Sequence, residues 1–248
     1  MNSDLKTAFL ERWKKYFGET PLPLVFFYSD TPVNAEYVEK PSGHRCLIGD
    51  LARVRSGTSL MFDAQSISCS GGKRYFGFSN TLRPNFEYFL SCGIPGEMEG
   101  ERYIQTPEQV KELVKGMNRV PVDQRYIIFR RWDKLEASDD PQAVIFFATP
   151  DVLSGLFTLV NYDHTHGDGV IAPFGAGCAS IVHHPWFENQ EDHPKAVIGM
   201  FDVSARPWVP ADTLTMAIPM KRFEKIVSYM DESFLITESW AKVLKRLS

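Results

Sequence analysis

The sequence predicts an α/β fold, in the α+β sense of a mixed sheet with flanking helices, built from two similar half-domains. Three observations predict it. Short apolar runs, Leu24-Val-Phe-Phe-Tyr28 and Ala143-Val-Ile-Phe-Phe-Ala148, read as buried strands and alternate with amphipathic helical stretches. The elements of the first part recur in order in the second. Each part also carries a glycine-rich loop with a cysteine, at Cys69-Ser-Gly-Gly72 and Phe174-Gly-Ala-Gly-Cys178.

Taken in order, residues 3–17 place Leu5, Phe9, Trp13 and Tyr16 on one stripe, which predicts a helix. Pro21 and Pro23 introduce the first buried strand. Cys46 to Val54 reads as a helix that stops at Gly57. Ser59 to Cys69 is extended and runs into the first glycine loop, and Tyr75-Phe-Gly-Phe78 reads as a short strand. Asn85 to Cys92 reads as a helix. Thr106-Pro-Glu-Gln109 is a capping box with Pro at the first helical position, opening a helix to about Met117. Arg125 to Trp132 is strand-like and heads the second part. Pro150 to Leu159 follows as a helix, then extended Gly169 to Phe174 and the second glycine loop. Strands are expected at 196–201 and 214–218, then helices at 219–230 and 233–247.

Internal duplication is read from four matches. Val25-Phe-Phe27 pairs with Ile145-Phe-Phe147, and Ile67 to Gly71 with Ile171 to Gly175. Tyr75-Phe-Gly77 pairs with Val197-Ile-Gly199, and Val110, Leu113, Val114 and Met117 with Phe223, Ile226, Val227 and Met230. The expectation is one domain over 1–248, with halves at about 22–120 and 125–232 about a pseudo-twofold.

Composition bounds the function. The chain has 248 residues, 44% hydrophobic and 23% charged, enough to bury a large core without staples. With 18 Phe the core should be rich in rings. A net charge of −4 and the lack of any long Lys/Arg run argue against nucleic acid as a partner. No apolar run approaches the ~20 residues of a membrane helix, and the N-terminus lacks a signal core, so a cytoplasmic protein is expected. Four cysteines without a CxxC pair read as thiols rather than a local zinc motif.

The glycine loops are the candidate ligand site. Backbone N–H groups of Gly71, Gly72, Gly175 and Gly177 can point at an anion with no Cβ in the way, and Lys73 and Arg74 add charge. Tight turns between strands would use the same residues, and neither loop has a phosphate-loop or dinucleotide spacing. Cys69 and Cys178 flank these loops, where oriented N–H dipoles lower a thiol pKa, and are the candidate catalytic residues. His183 and His184 are the nearest bases to Cys178. Cys46, Cys69 and Cys178 are the candidate ligands should a metal be held. His164-Thr-His166 with Asp168, and the acidic pairs Asp139-Asp140 and Glu191-Asp192, read as solvated loops.

These residues together resemble domain of unknown function family 169, a group of uncharacterised prokaryotic proteins. The resemblance covers nearly the whole chain. It rests on Asp30-Thr-Pro32 after the first strand, Cys46 before a helix, Ile67-Ser-Cys-Ser-Gly-Gly72, and Phe146-Phe-Ala148 with Asn161-Tyr162. The longest piece is Val170-Ile-Ala-Pro-Phe-Gly-Ala-Gly-Cys-Ala-Ser180. It implies no reaction and no catalytic residues. Some members resemble fusions to ferredoxin-like iron–sulfur modules, which hints at redox work, but this chain has no such module. Three readings stay open: an enzyme binding a small anionic metabolite or cofactor between the halves, a non-enzymatic ligand sensor, or a cysteine-ligated metal or iron–sulfur protein.

Overall fold

The computed structural model describes residues 3–247. In chain order the elements are α1 (Ser3–Phe17), β1 (Leu24–Ser29), β2 (Glu36–Tyr37), α2 (Leu47–Arg55), β3 (Leu60–Phe62), α3 (Ser70–Tyr75), α4 (Phe86–Leu90), α5 (Pro107–Lys115), β4 (Tyr126–Arg131), β5 (Ala143–Ala148), α6 (Pro150–Val160), β6 (Val170–Ile171), a π turn (Ala179–His183) running into α7 (His184–Glu188), β7 (Ala196–Gly199), β8 (Leu214–Pro219), α8 (Met220–Tyr229) and α9 (Glu238–Leu247). Mixed α/β architecture is therefore what the chain adopts.

All these strands join one sheet, in the order β2-β3-β4-β1-β5-β8-β7-β6. Outward from the centre each side repeats one scheme. On one side β1 pairs antiparallel with β4, β4 antiparallel with β3, and β3 parallel with β2. On the other, β5, β8, β7 and β6 follow in the same orientations. The sides join through a short antiparallel pairing of β1 with β5, Leu24 to Ile145 through Phe26 to Ala143.

Helices cover both faces, which explains why the central strands are apolar throughout rather than alternating. Val25, Phe27, Val144 and Phe146 face a layer that includes α1, α6, α8 and α9. That layer is ring-rich, as composition suggested: Trp13 stacks on Phe17 at 4.2 Å, and Phe9 meets Trp132 edge-on at 5.2 Å. Leu24, Phe26, Phe129 and Ile145 face the opposite layer, which holds α2 and the π turn.

Several expectations change. Arg125–Trp132 does form a strand, β4, but it lies between β1 and β3 and so completes the first half-sheet instead of opening the second. Tyr75–Phe78 is not a strand. The N–H of Lys73 donates to Cys69 and that of Phe76 to Gly72, so the Ser-Gly-Gly segment is a helical turn, closed at Gly77 with φ +84°. The second glycine loop likewise enters a helix, with Gly177 and Cys178 already helical. Of the four matches, Val25–Phe27 and Ile145–Phe147 lie in the two central strands, β1 and β5. The others set unlike elements side by side: Ile171 is in β6 whereas Ile67 follows β3, and α5 precedes β4 whereas α8 follows β8. Amphipathic helices share a pattern whatever their place, which is why they matched. Asp139 is buried on Arg130 at 2.7 Å instead of solvated, and Cys92 lies exposed beyond the end of α4.

Candidate functional site at three helix starts

Three cysteines begin helical segments on the same face of the sheet. Cys46 caps α2 and Cys69 caps α3, with nearly equal extended backbones (φ −78°, ψ 119° and φ −76°, ψ 121°). Cys178 stands in the turn before the π segment. Pro185 accounts for that widened turn, because it has no N–H to return to Ile181 and its ring displaces that carbonyl.

The two glycine motifs meet. A Cβ built on Gly72 stands 3.9 Å from the Cys178 sulfur and 3.7 Å from Cβ of Cys69. Gly177 closes against α2 and the chain beyond β7: a Cβ there lies 3.4 Å from Ile48, 3.1 Å from Met200 and 3.2 Å from Ala205. Met200 takes φ +70°, a conformation costly for a long side chain, and this sharp turn carries Asp202 back over the second motif.

Asp202 is the site residue that sequence reasoning missed. Its carboxylate accepts the N–H of Gly177 at 3.2 Å and both the N–H and hydroxyl of Ser204, at 3.0 and 2.8 Å. An Asp two residues before a Ser is an ordinary turn signal, so nothing local marked it as special. The amide of Gly177 is thus engaged by the chain itself. Arg74 is engaged too, its fork donating to the carbonyls of Asn80 (2.8 Å) and Met117 (3.3 Å). That leaves the first N–H groups of α3, which include those of Gly71 and Gly72, without an intrahelical acceptor, and Lys73 beside them. Gly175 lies near the imidazole of His184, 3.9 Å from Nε2 to a Cβ built on the glycine.

Protonation follows from burial. Cys178 is buried, and this pushes its thiol well up, with Cys69, Cys46 and Asp202 adding to the rise. Burial also raises Cys46. The N–H groups of Ile48 and Gly49 oppose the rise, while Cys69 and Asp202 add to it. The N–H dipoles at these helix starts therefore do not win over desolvation. Tyr75 is pushed up to about 12 by burial, then by Cys178. Burial lowers His183, and lowers His184 to about 4, so both imidazoles are neutral at pH 7. Nε2 of His183 meets the Asn118 carbonyl at 2.6 Å, and its Nδ1 is buried without a partner. The site thus gathers the raised thiols of Cys46 and Cys178 and two neutral imidazoles beside Cys69 and Asp202.

An apolar rim borders it. Phe174, Phe201, Val203 and Trp208 are all about half exposed or more, up to 68% for Val203. Phe174 meets Tyr103 at 6.1 Å, and Trp208 lies over Gly49 at the start of α2. Among the described residues no group of three His, Cys, Asp or Glu side chains is disposed to hold a metal ion, so Cys46, Cys69 and Cys178 do not form a ready ligand set as placed. No described helix is long and apolar enough to cross a membrane.

Residues 18–229 match the model of the family described as DUF169, uncharacterised ArCR. The chain belongs to domain of unknown function family 169. The match runs from the end of α1 to the end of α8, so all four segments of the site fall inside the region that defines the family. Comparison with curated proteins and with solved structures gave no match.

Proposed function

We propose that the protein binds a small anionic molecule in the crevice between its half-sheets, where the three cysteine-led helices begin, and that Cys69 is the thiol that acts on it. One observation carries the proposal: helix starts from both halves converge, with a Cβ built on Gly72 only 3.9 Å from the Cys178 sulfur and the Gly177 N–H donating to Asp202 at 3.2 Å. The proposal includes descent of the halves from one unit, aligned β1 with β5, β2 with β6, β3 with β7 and β4 with β8. Under that alignment Cys46 and Cys178 hold the same place, at the helix after β2 or β6. Cys69 and Asp202 do so as well, in the segments after β3 and β7. Four equivalent segments then surround one pseudo-twofold, with an asymmetric chemistry of thiol on one side and carboxylate on the other.

Anion binding falls to the first motif, through the Gly71 and Gly72 amides and Lys73. Cys178 is too buried to meet a ligand freely and shapes the floor, whereas half-buried Cys69 is open to reagent. The exposed rings of Phe174 and Trp208 would take the apolar part of the molecule.

A reactive probe tests this. With 4-(chloroacetamido)benzoate, thiolate displaces chloride and the labelled cysteine is read by peptide mass spectrometry. Labelling of Cys69 should saturate with probe concentration, because the probe binds first. Exposed Cys92 should label in simple proportion and serves as the internal control. The uncharged anilide should label Cys69 more slowly, and Trp208→Ala should weaken saturation. Proportional labelling at Cys69, equal for the acid and the uncharged anilide, would refute the proposal.

A further inference from the structure

At the end of the sheet where β1 begins, the two central strands part. Leu24 pairs with Ile145, and β5 continues through Phe146, Phe147 and Ala148 with only β8 beside it. The gap opens into a cavity of about 330 Å³ between the half-sheets, at the small end of ligand-site volumes. The cysteine-led helix starts do not line it. Buried Trp13 and Phe146 contribute an apolar floor, and Phe147 a further ring.

Three polar features line the same cavity. Arg55, in the last turn of α2, holds its guanidinium carbon 5.1 Å from the centre of the Phe147 ring. It has no carboxylate or carbonyl partner among the described residues, and burial lowers its pKa with no anion nearby to offset the effect. Thr149 caps α6 without a side-chain capping bond, so the positive end of an 11-residue helix opens here. Asp151 in that first turn is already paired with Arg246 at 3.0 Å. The hydroxyl of Thr20 is sealed from water and has no hydrogen-bond partner.

A half-buried cation over a ring and an open helix start, both beside aromatic walls, lack one thing, which is a planar anion. From this geometry we infer a second binding site, for a small monocarboxylate carried on a flat apolar body. Its carboxylate would lie against Arg55 and the α6 start, with its apolar part over Phe146 and Trp13. A free phosphate fits less well, because a single guanidinium and a largely apolar floor leave most of its oxygens unmatched.

The test is calorimetric titration of the full chain with 3-phenylpropionate, 3-phenylpropanol and inorganic phosphate. The acid should bind saturably, and the alcohol about tenfold more weakly or worse, as expected for loss of a charge-assisted contact. Arg55→Met should lower affinity for the acid by about tenfold or more while leaving the alcohol unchanged, and Arg55→Lys should restore part of the loss. Because the guanidinium makes no ion pair or hydrogen bond among the described residues, and Met can still pack on Phe147, Arg55→Met should fold normally. Ala52→Trp, exposed at the mouth, should block the acid without touching Arg55. Lys73→Met, which removes the cation proposed to hold an anion at the thiol site, should leave acid binding unchanged, which separates this site from the thiol site. Absence of saturable acid binding, equal binding of acid and alcohol, or an Arg55→Met variant that binds the acid like wild type would overturn the inference.

Discussion

At the scale of single residues, the chain's least expected feature is a charge in its core. Arg130 is fully buried in the middle of the sheet, on β4. It donates to Asp139 at 2.7 Å and to the carbonyl of Asn34 at 2.9 Å, and its guanidinium lies over the Phe27 ring. Asp139 in turn accepts the N–H of Glu136 at 2.8 Å, which pins the loop between β4 and β5. Arg130 thus stitches that loop to the one before β2. Removing one partner leaves the other charge out of water. Asp139→Ala should therefore cost about 3–5 kcal/mol, measured by urea unfolding, and the neighbouring Asp140→Ala should cost little. The adjacent acids look alike in sequence, and only the register of β4 tells them apart.

At the scale of elements, glycine does more here than close turns. The sheet end of β7 touches the π turn so closely that a Cβ on Gly199 would run into the side chain of Ser180, whose hydroxyl is held by the Gly177 carbonyl at 2.9 Å. Gly199→Ala should destabilise the fold by at least the ~1–3 kcal/mol of an overpacked core, and Ser180→Gly in the same chain should recover much of the loss in a double-mutant cycle. Helices and strands with strong local signals were legible from sequence: the Thr106 capping box with Gln109, the unbroken run of β5, and the stripe of α1. Elements held mainly by tertiary contact were not. The two-residue strand β2 carries no pattern of its own, and α3 forms from Ser-Gly-Gly because Gly72 must fit between Ile67 and Cys178.

At the scale of the whole molecule, the sheet's scheme of 1-4-3-2 and 5-8-7-6 places the candidate site. Sequence matching paired segments by composition and set Ile67–Gly71 against Ile171–Gly175, which puts Cys69 opposite Pro173. Under the alignment proposed from strand order, Cys46 stands against Cys178, and Asp202 against Cys69. Cys46 was legible at a helix start and Cys69 and Cys178 beside glycine motifs, but that these motifs open helical turns was not. Neither Asp202 nor the Arg55 cavity was visible, since both depend on segments distant in sequence.

Under the proposed function Cys46, Cys69 and Asp202 share one site, and the pH dependence of Cys46 alkylation tests that most directly. Burial is the main cause that raises the Cys46 thiol; Cys69 and Asp202 add to it, and relief of either should bring it down. Peptide-resolved iodoacetamide rates from pH 6 to 10 should show the Cys46 midpoint moving to lower pH in Cys69→Ser and in Asp202→Asn, with Cys92 unchanged in both. A Cys46 midpoint that stays at its wild-type position in both folded variants would contradict the account.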